Sequence, residues 1–204
     1  DSNQISPWSA AIPLGGYTQT GRNTVFTGTY WTLLDGKGIV RPPDGLLKGH
    51  DISFGFHGDQ FHLNNPVWLT WNWTAGMNAS TGAAVSIAQG TTRTQALWFQ
   101  DAFNIAPDLK MTVGLRGERW TASDGYNQQA GVNNFGTALS GNPASWLPIY
   151  QPNLYSTRFS PKGSLQYVID PYWTVTGSIG MANRFPTVRE LYNLTTVAAG
   201  GIAT

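Results

Sequence analysis

The chain has no cysteine, which removes a disulfide framework, a thiolate zinc site and a cysteine nucleophile together. Charge is scarce as well: Asp, Glu, Lys and Arg make up 11% of the residues, against about 25% in typical soluble proteins. The net charge of +1 offers no electrostatic footprint for nucleic acid. No run approaches the roughly 18 to 20 consecutive apolar residues that a spanning helix requires, so any membrane crossing has to be made by strands closed into a barrel. Against these absences stand 24 glycines, nine tryptophans and a 41% hydrophobic share, enough for a core or for a lipid-facing band. The chain opens at Asp1 without a charged and then apolar leader, so we expect either a removed leader or a start inside a longer protein.

The most regular pattern lies in residues 155–192. Tyr155, Thr157, Phe159, Gly163, Leu165 and Tyr167 fall on one side of a strand, and Ser156, Arg158, Ser160, Lys162, Ser164 and Gln166 on the other, a period of two. After the break at Asp170-Pro171, Trp173, Val175, Gly177, Ile179 and Met181 oppose Thr174, Thr176, Ser178, Gly180 and Arg184. One face is apolar, the other hydroxyl-rich and cationic. A soluble sandwich and a transmembrane barrel both produce such a hairpin. Tyr167, Tyr172 and Trp173 cluster at the short-turn end, where a barrel carries an interfacial girdle.

Further strands are expected at residues 24–33, 50–63, 94–105 and 111–120, followed by 155–168 and 173–184. Pro107 and Pro171 mark short turns on one side. Gly36, Gly38, Pro42, Pro43 and Gly45 read as breakers, and residues 1–21, 64–92 and 124–152 as long polar loops. About six strands of roughly ten residues each make a sector rather than a closed barrel, since barrels of this kind close with at least eight. With two open edges and an apolar face, the isolated chain is not expected to form a stable closed monomer in water.

Few constellations carry chemistry. His57 and His62 are five apart and face opposite ways in a strand; His57 with Asp59 supplies at most two metal ligands, so no metal site is expected. Asp101 and Glu118 form no convincing catalytic pair and read as charges near strand ends or inside a lumen. The residues around Ser178 lack the spacing of a nucleophile elbow. The matches at Asn72, Asn78 and Asn193 are to a three-residue glycosylation pattern and carry no weight if the source is bacterial. No enzyme activity and no cofactor are expected. Arg116, Glu118, Arg158, Lys162 and Arg184 lie on the polar faces of the expected strands, where charges line a barrel lumen. The loop aromatics Trp68, Trp71, Tyr126, Trp146 and Tyr150 suit a ligand-capture surface, because rigid rings bind at low entropy cost.

The segment Arg184-Phe185-Pro186-Thr187, followed by Glu190-Leu191-Tyr192, resembles the late-barrel region of TonB-dependent outer-membrane receptors. Residues 94–120, with their aromatic, Gln-Asp, aromatic, turn and Gly-Leu-Arg order, resemble a second hairpin of that family. The resemblance implies an all-β fold, an antiparallel transmembrane β-barrel segment with short periplasmic turns and long extracellular loops. It implies a bacterial outer-membrane location, contact with outer-membrane lipid, and uptake of a small-molecule chelate such as a ferric siderophore. The family couples to the TonB complex through a plug and a TonB box; neither motif is found in residues 1–204, so the chain is expected to be a portion of the barrel. The alternative is a soluble all-β binding module of carbohydrate-binding type that uses the same Trp and Tyr residues.

Overall fold

Pro107-Asp108 and Pro171-Tyr172 form tight turns between long strands, and an aspartate anchors each. Asp170 Oδ1 accepts the N–H groups of Tyr172 at 2.8 Å and Trp173 at 2.9 Å, while Pro171, which has no N–H to place, occupies the corner. The Asp108 carbonyl accepts the Val168 N–H at 2.9 Å, tying the first turn to the neighbouring strand. The computed structural model describes residues 4–7, 19–78, 81–129, 147–192, 195–197 and 201–203.

The strands are β1 (Gln4–Pro7), β2 (Gly21–Thr24), β3 (Tyr30–Val40), β4 (Asp51–Thr70), β5 (Thr81–Ala106), β6 (Leu109–Gln129), β7 (Leu147–Tyr150), β8 (Leu154–Asp170) and β9 (Trp173–Gly180). All pairings are antiparallel, in the order β1-β2-β4-β5-β6-β8-β9, with β3 along the lower part of β4 and β7 along the upper part of β6. A short helix α1 (Val188–Tyr192) follows β9, and β10 (Thr195–Val197) pairs with β11 (Gly201–Ala203). The expected consecutive hairpins over β5, β6, β8 and β9 are present, with both turns on one side.

Register sorts the side chains into two faces. On the outer face Phe54 opposes Phe99, Phe56 opposes Leu97, Phe99 opposes Leu115, Met111 opposes Leu165, and Tyr167 opposes Val175. These apolar groups are not covered by protein: Leu97 is 73% and Ile179 82% exposed. In β5 the apolar stretch runs from Leu97 to Ile105, about 27 Å along a strand, which matches the apolar band of roughly 25 Å on a membrane barrel. One carboxylate, Asp101, lies within it and is held by His50 Nδ1 at 2.7 Å. Among the described residues buried apolar side chains are few; Ala96, Trp120 and Ala122 lie on the opposite, inner face, where Leu63, Val188 and Tyr192 form a small cluster.

Several expectations are corrected. The strand expected over residues 24–33 is two elements, β2 and β3, and β3 continues through Gly36 and Gly38 to Val40. Those glycines do not break it: a Cβ on Gly36 would sit 2.2 Å from the Phe56 ring, and one on Gly38 2.7 Å from that of Phe54, so each leaves room for an aromatic ring lying across from the next strand. Residues 64–92 are not a long loop. β4 runs on to Thr70, a 3₁₀ turn spans Trp73–Asn78, and β5 starts at Thr81. Alternation disappears there because the outer face too carries polar side chains, as at Asn64, Gln89 and Thr91, while the inner face holds Asn65, Ser86 and Ala88, and the backbone ladder sustains the strand. β1 lies within the N-terminal stretch read as loop, and β6 extends into the second long loop as far as Gln129. β9 ends at Gly180, four residues earlier than expected.

Candidate functional site: the inner face and its strap

Inner-face chemistry follows from the same register. Trp98 and Ser160 flank Arg116, Ala96 and Arg158 flank Glu118, and Gly114 opposes Lys162. Arg116, Glu118, Arg158 and Lys162 therefore share one wall, as alternation predicted. Arg116 Nε donates to Glu118 Oε1 at 2.8 Å, and the Glu118 side chain is only 11% exposed. His57 lies on this wall between two carboxylates, with Nδ1 2.7 Å from Asp35 Oδ1 and Nε2 3.0 Å from Asp59 Oδ2. Both ring nitrogens are thus engaged, which makes the His57–Asp59 pair part of a hydrogen-bonded wall.

After β9 the chain turns back and crosses this wall as a strap over residues 181–192. Asn183 Nδ2 donates to the Phe159 carbonyl at 3.0 Å and to Ser160 Oγ at 3.1 Å. Phe185 stacks on Trp120, ring centroids 5.7 Å apart and planes within 4°. Thr187 caps α1: its Oγ1 accepts the Glu190 N–H at 3.3 Å, and Glu190 Oε2 accepts the Thr187 N–H at 2.8 Å, a reciprocal capping box. The other Glu190 oxygen binds the Arg184 guanidinium. The Thr187 N–H and then Arg184 hold the Glu190 carboxyl down at about 2.

The strap ends in a socket. Thr91 opposes Ser123 and Gln89 opposes Tyr126, so Gly90 faces the two residues Asp124 and Gly125, a β-bulge in which Asp124 takes φ 58°. The Tyr192 ring fills the space left by the missing side chains; a Cβ would come 2.1 Å from it at Gly90 and 2.3 Å at Gly125. Asn127 Nδ2 donates to the Tyr192 carbonyl at 2.6 Å. Burial first, and the nearby Asp124 charge second, push the Tyr192 phenol upward. Between strap and sheet runs a groove of about 600 Å³, bounded by Trp31, Phe61 and Arg116 on the wall and by Arg184, Phe185 and Arg189 on the strap. Arg184, expected on the polar side of a strand, thus sits on the strap instead, because β9 ends before it.

The aromatic candidates are placed differently from the loops expected of them. Trp68 is partly buried within β4, opposite Asn23 and Ala84, and Trp71 is exposed just beyond its end. Tyr126 in β6 opposes the exposed Tyr150 in β7, with ring centroids 5.3 Å apart. Trp146 lies outside the described residues. The strand positions follow from β4 and β6 extending well past the apolar band. Sequence reading missed the roles of Asp35, Trp120, Asn127 and Asn183; the Thr187–Glu190 spacing was the visible signal for the capped strap.

An antiparallel sheet with an uncovered apolar outer face and a charged, hydrogen-bonded inner face is a half-barrel, a section of membrane β-barrel wall. A family model described as TonB dependent receptor-like, beta-barrel, matches residues 2–203, and the chain belongs to that family. No curated protein and no solved structure matches it. Proteins of this family are receptors and transporters of the bacterial outer membrane, not enzymes. The soluble carbohydrate-binding alternative is displaced by this membership and by the uncovered outer face.

Proposed function

We propose that these residues form part of the wall and outer-side surface of an outer-membrane uptake receptor for a ferric siderophore or a similar metal chelate. The observation that carries the reading is the segregation of faces in one register: apolar groups outside, and on the β6–β8 part of the inner face Arg116, Arg158 and Lys162 with Glu118, the further carboxylates Asp35 and Asp59 being taken up by His57. The cationic excess on this β6–β8 stretch suits an anionic chelate passing through the lumen. The exposed Trp71 and Tyr150, at the long-loop end, serve as capture surfaces. In this reading the plug and TonB box belong to sequence outside residues 1–204, and energy reaches the barrel through them.

The test is uptake of radioactive iron on hydroxamate, catecholate and carboxylate chelators by cells producing the full receptor. Accumulation of at least one chelate should require both TonB and the proton motive force, and should fall in R116Q/R158Q/K162Q. Uptake of none of the three classes, or uptake indifferent to loss of TonB, would overturn the proposal.

A further inference from the structure

At the long-loop end the outer apolar band gives way within two rows to cations. Leu97 in β5 is followed on that face by Gln95 and Arg93, and Leu115 in β6 by Gly117 and Arg119. Arg119 opposes Gln95, and Arg93 opposes Thr121, which makes the two arginines diagonal neighbours, about 7–8 Å apart at the backbone. Both are exposed. Arg93 Nε donates to Gln60 Oε1 at 2.9 Å, and Gln60 Nε2 to the Tyr30 hydroxyl at 2.7 Å. This chain orients the guanidinium and leaves its terminal nitrogens without a partner among the described residues. Arg119 has no hydrogen bond or ion pair among them, and the outer-face rows that hold both arginines contain no carboxylate.

Directly below lies a second groove, of about 820 Å³, on the outer face. Its lining is chiefly Leu34, Phe56, Leu97, Phe99 and Phe159, and Arg119 stands at its rim. An apolar groove ending at unpaired cations has the polarity of an amphiphile with an anionic head. Free phosphate would satisfy the arginines but not the groove, and an acyl chain alone the groove but not the arginines. We propose that Arg93 and Arg119 dock the headgroup phosphate of a lipid in the outer leaflet, with an acyl chain of the same molecule lying in the groove beneath. The inference rests on the outer-membrane placement proposed above.

The test uses the full receptor in phosphatidylcholine vesicles containing 10% lipid A, a phosphorylated glycolipid, or lipid A stripped of its phosphates. Lipid retained after detergent extraction is counted by mass spectrometry. Wild type should retain phosphorylated lipid A and not the stripped form, and millimolar inorganic phosphate should not displace it. Each cation at such an interface is worth roughly fivefold, so R93Q/R119Q should retain roughly 25-fold less, while R93K/R119K retains most. K48Q, which removes one positive charge at the short-turn end as each single arginine variant does at the other, should behave as wild type. Should the double variant not assemble, R93Q and R119Q singly, each losing about fivefold, carry the test. Equal retention by wild type and R93Q/R119Q, equal loss in K48Q, or equal binding of stripped lipid A would overturn the proposal. A receptor that takes up chelates yet retains no lipid A fails this inference alone; one that fails to insert in membranes fails the placement.

Discussion

Gly90 is the position where the smallest substitution should have the clearest effect. Its backbone is of ordinary extended type, so alanine meets no conformational barrier. The obstacle is steric: the added Cβ would lie 2.1 Å from Tyr192 Cε2 and 2.3 Å from Cδ2, where carbon atoms ordinarily rest about 3.5–4.0 Å apart. The ring cannot retreat, since Gly125 presses on its other edge, within 2.3 Å of an added Cβ of its own. G90A should therefore expel a side chain that is now 2% exposed, forfeiting about 1.5–3 kcal/mol of burial and about 1 kcal/mol for the Asn127 bond to the Tyr192 carbonyl. A local loss of about 2–4 kcal/mol raises the open fraction of the strap by roughly 30-fold or more. Trypsin cleavage after Arg184 and Arg189 in the membrane-embedded receptor reads that fraction directly. In a Y192A background the socket is already empty, and G90A should cost almost nothing. If G90A accelerates cleavage equally in both backgrounds, or not at all in the wild type, the socket is not what holds the strap.

Three further outcomes follow from the same geometry. Tyr192 Oη is buried without a partner among the described residues, so Y192F should leave the strap at least as protected, by up to about 1 kcal/mol, in hydrogen exchange over residues 183–192. Glu190 titrates at about 2 rather than its usual 4.5. The folded value is the depressed one, so the cap's contribution is complete above pH 4.5 and fades as pH falls toward 2; exchange in the strap should rise over that window in wild type and be flat in E190Q. Spin labels at Leu97, Val113, Leu165, Val175 and Ile179 should meet lipid-soluble quenchers, and labels at Arg116, Arg158 and Lys162 water-soluble ones. A swap of the two sets would refute the assigned register.

The sequence by itself determined the hairpins at Pro107 and Pro171, the two alternating faces of the strand from Tyr155 to Tyr167, and the common wall of Arg116, Glu118, Arg158 and Lys162. Alternation against an apolar band is a local signal: once one residue faces lipid, its neighbours are assigned by the pleat. That signal vanished where both faces are wet, which is why the upper halves of β4 and β5 read as loop and why Trp68 and Tyr126 were placed outside strands. The glycines at 36 and 38 misled for a related reason, because a breaker and a slot for a facing ring are the same residue until the partner strand is known. Tertiary structure alone decided the strap. Its anchors come from Leu63, Gly90, Trp120, Gly125 and Phe159 on four different strands, and no local pattern records that a tyrosine near the end of the chain fills a gap left by two glycines far earlier. The pairing of His57 with Asp35 across β3 and β4, and of Arg93 with Arg119 above the lipid band, is likewise a product of register between strands, which a single strand's sequence does not contain.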